Sequence, residues 1–444
     1  MADLNRSAID VLLMDKYPFG SEIFSQVQRG TPLKDLIQRK LPPMAKVDHE
    51  GRRVLVPLHT KRNPNVTMAI GPDGGFATPG HQKYAQAIYN VSTVVGGFGV
   101  DGIVFDVASG GGKSVVRQVP HELSMLMENM NYKLNWLMHQ DGSGLYAVCG
   151  TTTNSNTISL ASGSDMTFLQ VDAEVDILDL TTGALAGGNT PQASKKQTLV
   201  ITARVTTLGS ESITVEQADG SQPAITTSSA HGVYEHQGQG LQIDGLGIIT
   251  STQNPTNWGD QNAQYGAIDR ASADNDFWKG NQQDAQDSAG NNGVLSIQEH
   301  IQPLHNTIRT RRGQFAGNQK RLLALLGNSQ DTILKNQMLH DMRTTGIRRR
   351  LKGGNWEGVE FDQTVFVLDV TAPTDKIRFL DAEATYRYIM REFYFDTKPG
   401  SQWERATDSV SSRPIERYRT YVLGRQQLLT TSCLAQGEIV NLAT

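Results

Sequence analysis

Three features of the sequence predict an α+β protein. Leu123, Leu126, Met127, Met130, Leu134, Leu137 and Met138 recur at helical spacing between Pro120 and Gln140. Short β-branched runs elsewhere are cut by glycine and proline, and a second helical region at 294–350 is followed by closing strands. The chain has 444 residues, about three domain-sized units by length, and can bury a large core. Charged residues are 19% of it, below the roughly 25% of ordinary soluble domains, and 43 residues are glycine. The net charge of −4 excludes a general polycation that coats nucleic acid. Two cysteines, Cys149 and Cys433, make neither a disulfide framework nor a four-thiolate metal site.

The elements follow in order. Asp3, Arg6 and Asp10 occupy the place of a signal peptide's apolar core, so a protein intracellular when made is expected. No apolar run reaches the 18 or so residues of a membrane helix. Residues 1–45 form an arm: patches such as Ala8–Asp15 are separated by Pro18, Gly20, Gly30, Pro32 and Pro42-Pro43. Residues 46–108 carry β-like runs at Arg53–Leu58, Val66–Ile70, Ile88–Val95 and Ile103–Val107, separated by turn signals, and form a projecting hairpin too poor in apolar residues to be stable alone.

Pro120 opens the long helix, Glu122 complements its dipole and Asp141-Gly-Ser-Gly144 ends it. Residues 150–255 are β-rich, with strands at 171–177, Leu199–Val205 and Ser212–Glu216. In the first, Asp172, Glu174 and Asp176 alternate with apolar residues and share one face. Residues 256–293, rich in Asn, Gln, Asp and Gly, form a surface loop region. Helices are expected around Leu295–Ile308, Leu322–Leu326 and Ile333–Leu339. Strands return at Val365–Val370, Ile377–Leu380, Tyr388–Phe395 and near Ile439.

Catalytic and cofactor motifs fail at specific positions. Gly110-Gly-Gly-Lys-Ser114 has Val107 where a phosphate-binding loop needs its first glycine. Gly97-Phe-Gly-Val-Asp-Gly102 matches a dinucleotide fingerprint but is followed by a β-like run instead of a helix. His121-Glu122 lacks the second histidine of a zinc site, and Pro303 intervenes between His300 and His305. No nucleophile elbow is present, and Cys149 has no identifiable activating base. We therefore expect no enzyme, metal or cofactor.

Charge distribution is more informative. From Arg309 to Lys352 eleven cations, among them Arg309, Arg311, Arg312, Arg343, Arg348, Arg349, Arg350 and Lys352, face two acids; this stretch is net +9 and leaves −13 for the remainder of a −4 chain. Residues 256–300 hold seven acids against two cations. Such segregation suits docking between subunits or, for the basic stretch, contact with nucleic acid. A smaller basic patch, Arg52, Arg53, Lys61 and Arg62, lies on the hairpin.

The order of parts resembles the HK97-like major capsid proteins of tailed bacteriophages. The residues carrying the resemblance are Gly51-Arg-Arg-Val-Leu-Val-Pro57 through Gly74-Gly-Phe-Ala-Thr-Pro-Gly-His-Gln82, and Leu134-Asn-Trp-Leu-Met-His-Gln-Asp-Gly-Ser-Gly144. Further on come Tyr265-Gly-Ala-Ile-Asp-Arg270 with Trp278, Val365–Asp381 with Pro373, and Gly437-Glu-Ile-Val-Asn-Leu442. The resemblance implies an N-terminal arm (1–45), an extended loop (46–108), the spine helix of a peripheral domain (109–150), and a β-rich peripheral region or insertion (151–293). An axial-domain-like region (294–385) and returning peripheral strands (386–444) would follow.

The same resemblance implies self-assembly into hexamers and pentamers of an icosahedral head enclosing double-stranded DNA. Its partners would be a separate scaffolding protein, a portal, a maturation protease and a decoration protein, with no membrane. Arg52, Arg53, Lys61 and Arg62 are then candidates to dock on a neighbour's acids, for which Asp172, Glu174 and Asp176 are one choice. Some members form a Lys–Asn isopeptide bond; Lys61 lies in the right kind of loop, but nothing identifies its other partners. Two alternatives stand beside this: an encapsulin-like compartment shell, and a secreted β-rich polysaccharide-active protein, which lacks paired carboxylates here.

Overall fold

The computed structural model describes residues 30–37, 39–48, 51–63, 65, 80–101, 115–164, 166–186, 199–207, 209–217, 220–254, 264–312, 322–345, 348–350, 357–362, 364–396, 404–407 and 414–443. The expected elements at Ala8–Asp15, Val66–Ile70 and Ile103–Val107 lie outside these residues, as do Gly110–Ser114 and Lys352.

A short helix α1 (Pro32–Leu36) precedes β1 (Lys46–Val47), β2 (Arg53–Lys61), β3 (Lys83–Asn90) and β4 (Ser92–Asp101). The long helix α2 (Val115–His139) leads to β5 (Leu145–Val148), β6 (Thr152–Ser155), β7 (Thr157–Ser159), β8 (Glu174–Asp179), β9 (Leu199–Val205), β10 (Ser212–Gln217), β11 (Ile225–Thr227) and β12 (His231–Glu235). Helix α3 (Leu246–Thr250), two 3₁₀ turns (Tyr265–Ala267 and Ala273–Trp278), β13 (Asn281–Asp284) and a π turn (Ile297–Ile301) come next. Then follow α4 (Gln302–Arg312), β14 (Leu322–Leu326), α5 (Asn328–Thr345), β15 (Arg348–Arg350), β16 (Glu357–Phe361), β17 (Thr364–Leu368), β18 (Ile377–Leu380), β19 (Thr385–Phe395), β20 (Glu404–Thr407), β21 (Pro414–Thr430) and β22 (Gly437–Val440). The protein is α+β, with more strand than helix.

The strands form separate sheets. Strands β2 and β3 make an antiparallel hairpin flanked by β1, in register Arg53 with Asn90 and Val56 with Ala87. Strand β21 pairs with β4 from Arg417 to Gln426, and with β19 and β20 on its other edge. Six strands in the order β5-β12-β8-β9-β10-β7 make an antiparallel sheet, and β6 pairs with β11. Seven strands in the order β13-β22-β18-β14-β17-β16-β15 make a mixed sheet.

Three apolar clusters correspond to these parts. The first gathers α1, the buried face of α2, the hairpin base and β21 around Leu33, Val54, Val56, Tyr89, Leu134 and Leu428. The second lies between α4, α5 and the mixed sheet, and the third fills the six-stranded sheet region. The hairpin base is therefore part of the core, with Val54 and Val56 buried while Arg53, Pro57 and Lys61 face outward.

The structure corrects several expectations. Helix α2 begins five residues before Pro120, which falls in its second turn and forgoes one helical bond there. Leu322–Leu326 is a central strand, not a helix. Leu323 and Leu325 face the first cluster while Leu322, Ala324 and Leu326 face the second, so both faces are apolar and no alternation shows. The polar segment 256–293 is not a surface loop throughout, because Tyr265, Arg270 and Trp278 are each 1% exposed. Trp278 Nε1 donates to the Tyr265 carbonyl at 2.8 Å, and Arg270 donates to the carbonyls of Ile248 at 2.6 Å and Trp278 at 2.9 Å.

Candidate functional site

The hairpin patch follows from strand alternation. Arg53 opens β2 on its outward face, Arg52 precedes it, Lys61 ends the strand and Arg62 follows it; all four are exposed. Lys61 Nζ stands 2.5 Å from Asp274 Oδ1 of the same chain and holds that carboxyl below its ordinary range. Arg53 also borders a cleft of about 420 Å³ between the hairpin, Gln242, Asp244 and Gln427.

The acidic face expected from Asp172, Glu174 and Asp176 does not form as a unit. Asp172 sits in a turn with φ of 68° ahead of β8, and Glu174 is exposed at the strand's first position. Asp176 is 1% exposed. It receives the Gln237 backbone amide at 2.8 Å and lies 2.9 Å from His236 Nδ1. The strand is covered on both sides at this point, so Asp176 is satisfied inside the subunit. Among the described residues neither the Asp172 nor the Glu174 side chain has a hydrogen bond or ion pair.

The basic stretch divides in two. Arg309 Nη1 is 2.9 Å from Asp362 Oδ2, and Arg311 binds Asn281 Oδ1 at 2.9 Å and the Asp276 carbonyl at 3.0 Å. Arg312 pairs with the buried Asp381. These three cations thus join α4 to neighbouring elements within the chain. The acid-rich 256–300 segment likewise meets Lys61 and Arg311 through Asp274 and Asp276. Arg343 lies near the end of α5, and Arg348, Arg349 and Arg350 make up β15 at one edge of the seven-stranded sheet.

Sequence reading missed a buried polar knot at the end of α2. Asp369 accepts from Asn135 Nδ2 at 3.0 and 3.1 Å, from the Thr371 amide and hydroxyl at 3.0 and 2.8 Å, and from the Leu33 amide at 3.3 Å. It also faces His139 Nε2. The Asp-x-Thr turn was a local sign; its partners 230 and more residues away had none. A second missed pair, Lys133 with Glu235, ties α2 to β12.

Cys149 and Cys433 are buried, and burial pushes their thiols up to about 12 and about 11. His300 Nδ1 accepts the Ser296 amide at 3.0 Å, and His305 bonds to Thr364 and Asp362. Among the described residues no group of His, Cys, Asp and Glu could hold a metal ion, and no helix is long and apolar enough to cross a membrane.

No protein-family model matches the sequence, and no curated protein does. Among solved structures the chain is similar to a chain of the cyanophage A-1(L) capsid asymmetric unit. The identity is 12% and the TM-score 0.52, over 98% of this chain and 99% of that one. A chain in the capsid of cyanophage P-SCSP1u aligns at 8% identity and TM-score 0.45, over 97% and 95% of the two chains. One in the capsid of Myoviridae phage XM1 aligns at 12% and 0.42, over 96% of each. The first likeness shows the fold: an HK97-like, mostly β, α+β phage capsid fold extending over nearly the whole chain.

Proposed function

We infer that this chain is the major capsid protein of a tailed bacteriophage, a structural subunit that self-assembles into the hexamers and pentamers of an icosahedral head enclosing double-stranded DNA. The observation that carries this reading is the end-to-end likeness to a cyanophage capsid chain, 98% of one and 99% of the other. A match of that extent leaves little chain over for a separate catalytic domain, which favours a structural role over a polysaccharide-active one. The subunit would be made and assembled in the host cytoplasm and persist in the virion. A scaffolding protein, portal, maturation protease and decoration protein would be its partners.

In this reading the exposed hairpin cations Arg52, Arg53 and Arg62 dock on acids of a neighbouring subunit, with Glu174 and Asp172 the available choices in the β-rich region. Lys61 joins them only by exchanging Asp274 for an intersubunit acid. The edge strand Arg348–Arg350, with Arg343 and Lys352, supplies non-specific contact to packaged DNA or to a neighbour. The paired Arg309, Arg311 and Arg312 serve the subunit's own fold instead.

Electron microscopy of the protein expressed alone, and with its neighbouring genes, tests the reading. Shells, tubes or isolated hexamers and pentamers are expected; a compact monomer under every condition would overturn it.

A further inference from the structure

A cleft of about 200 Å³ opens between α1, α2 and the paired strands β19 and β21. Four cations line it, Lys34, Arg39, Arg387 and Arg391, against the single carboxylate of Glu392. Arg39 Nη1 lies 3.6 Å from Glu392 Oε1, but that carboxylate is 74% exposed, so solvent screens the pair and little of the cleft's charge is cancelled. Asp35, the other acid nearby, is engaged with the Thr31 hydroxyl at 3.2 Å.

Arg387 is the residue that most needs a partner. It is 3% exposed, donates through Nη1 to the Lys34 carbonyl at 3.3 Å, and its Nε has no hydrogen-bond partner among the described residues. A buried guanidinium with unfilled donors is costly unless an anion completes it. Lys34 Nζ is held beside the cleft by Asn131 Oδ1 at 2.6 Å, and Arg391 is steadied by the Tyr394 ring at 3.7 Å. Burial, with Arg39 adding to it, pushes Arg387 down to about 10. Burial also lowers Lys34; Asp35 opposes this, and Arg387 and Arg39 add to it.

We propose that this cleft receives a carboxylate side chain from a second copy of the chain. This rests on the shell-subunit reading above. Guanidinium groups match carboxylates by bidentate geometry, and the −13 outside the basic stretch makes any second copy a source of carboxylates. The cleft's other walls are Met127, Leu134, Ile389 and Phe393 together with Asn131, Gly424 and Gln426; the four apolar side chains can pack on the methylene stem of an acidic side chain, and the two amides can hydrogen-bond its head.

The test mixes ¹⁴N- and ¹⁵N-labelled full-length protein, assembles it, and treats the particles with a water-soluble carbodiimide, which joins an amine to a carboxylate with loss of water. Peptide mass spectrometry then reads the partners of Lys34. The expected result is a Lys34 amide to an Asp or Glu peptide of the opposite label. Arg39→Gln with Arg391→Gln, two exposed positions, should weaken that link and raise the concentration for half-assembly about tenfold, the effect of losing one charge-assisted contact. Particles that form but give only same-label links from Lys34, or none, overturn the cleft's role while leaving the shell reading intact. So do particles in which formaldehyde traps Lys34 on DNA and no mixed-label link appears. Failure of the wild-type chain to associate at all overturns both.

Discussion

His139 Nε2 lies 3.0 Å from Asp369 Oδ2, and both side chains are fully withdrawn from solvent. Through this carboxylate the last turn of α2, the turn after β17 and the backbone of α1 share one polar centre. Burial holds His139 below its ordinary value, and its Nδ1 has no partner among the described residues. Burial alone would raise Asp369, but His139, Asn135 and Thr371 outweigh it and bring the carboxyl to about 2.

The knot makes the fold acid-sensitive with a definite sign. The unfolded histidine takes up a proton near pH 6.5, whereas the folded one resists it, so its contribution is present above that pH and lost below it. Asp369 adds a second loss as pH falls from about 4 in the unfolded chain toward about 2 in the folded one. In urea titrations at pH 7, 6, 5 and 4 the His139 share of this slope is a fall of up to about 1.4 kcal/mol per unit below pH 6.5; His305, also held down by burial, adds to it, and the buried Asp244, raised to about 7, opposes it. His139→Gln should flatten this slope between pH 6.5 and 5; an unchanged slope would count against the assignment. Asp369→Asn, which weakens the hydrogen bonds the carboxylate accepts from Asn135, Thr371 and Leu33, should cost about 1.5–3 kcal/mol at pH 7.

Arg270 is a structural cation. It bonds to the carbonyls of Ile248, Gln253 and Trp278, stands 3.5 Å from Cys433 Sγ and lies 5.3 Å from the Tyr265 ring centre. Arg270→Met would orphan the carbonyls of Ile248 and Trp278, while that of Gln253 keeps the Ser251 hydroxyl, and should cost about 3–5 kcal/mol in denaturant unfolding. Arg270→Lys should recover part of this.

Two glycines are set by close approach. A Cβ on Gly280 would stand 2.0 Å from the Thr250 carbonyl oxygen, and one on Gly293 would stand 1.9 Å from that of Ala285. Since backbone must move, Gly280→Ala and Gly293→Ala should each cost about 2–3 kcal/mol. Gly209→Ala, at φ of 82° with nothing within 4 Å, should cost only about 1 kcal/mol of backbone strain. Thermal unfolding of the three variants ranks them.

Arg52→Glu with Arg53→Glu should impair particle assembly without unfolding the subunit, since both side chains are exposed. Wild-type particle yield from the double variant would remove these residues from the interface. Lys61→Ala, which loses an ion pair whose members are 42% and 74% exposed, should change subunit stability by under about 1 kcal/mol.

Local periodicity was enough to locate β9 at Leu199–Val205 and β18 at Ile377–Leu380 residue for residue, as well as the buried stripe of α2. These elements are written in the sequence because each meets the core along one stripe or one face, or, for β18, as a short apolar run between turns. The order of arm, hairpin, long helix and β-rich body, and with it the likeness to a capsid fold, rested on the same local signals.

Long-range packing decided the rest. Leu322–Leu326 became a strand because apolar clusters cover both its faces. Asp176 went inside because a histidine 60 residues away was placed to satisfy it, and Arg270 because the turns on either side of it aim the carbonyls of Ile248, Gln253 and Trp278 at its guanidinium. The +9 stretch was visible as charge, yet only the fold assigned Arg309, Arg311 and Arg312 to acids within the chain. The cationic cleft had no sequence signature, since Lys34 and Arg387 are 353 residues apart and meet only when α1 docks beside β19. Spacing along a chain records which face a residue shares with its near neighbours; which charges then meet across elements depends on the packing that brings those faces together.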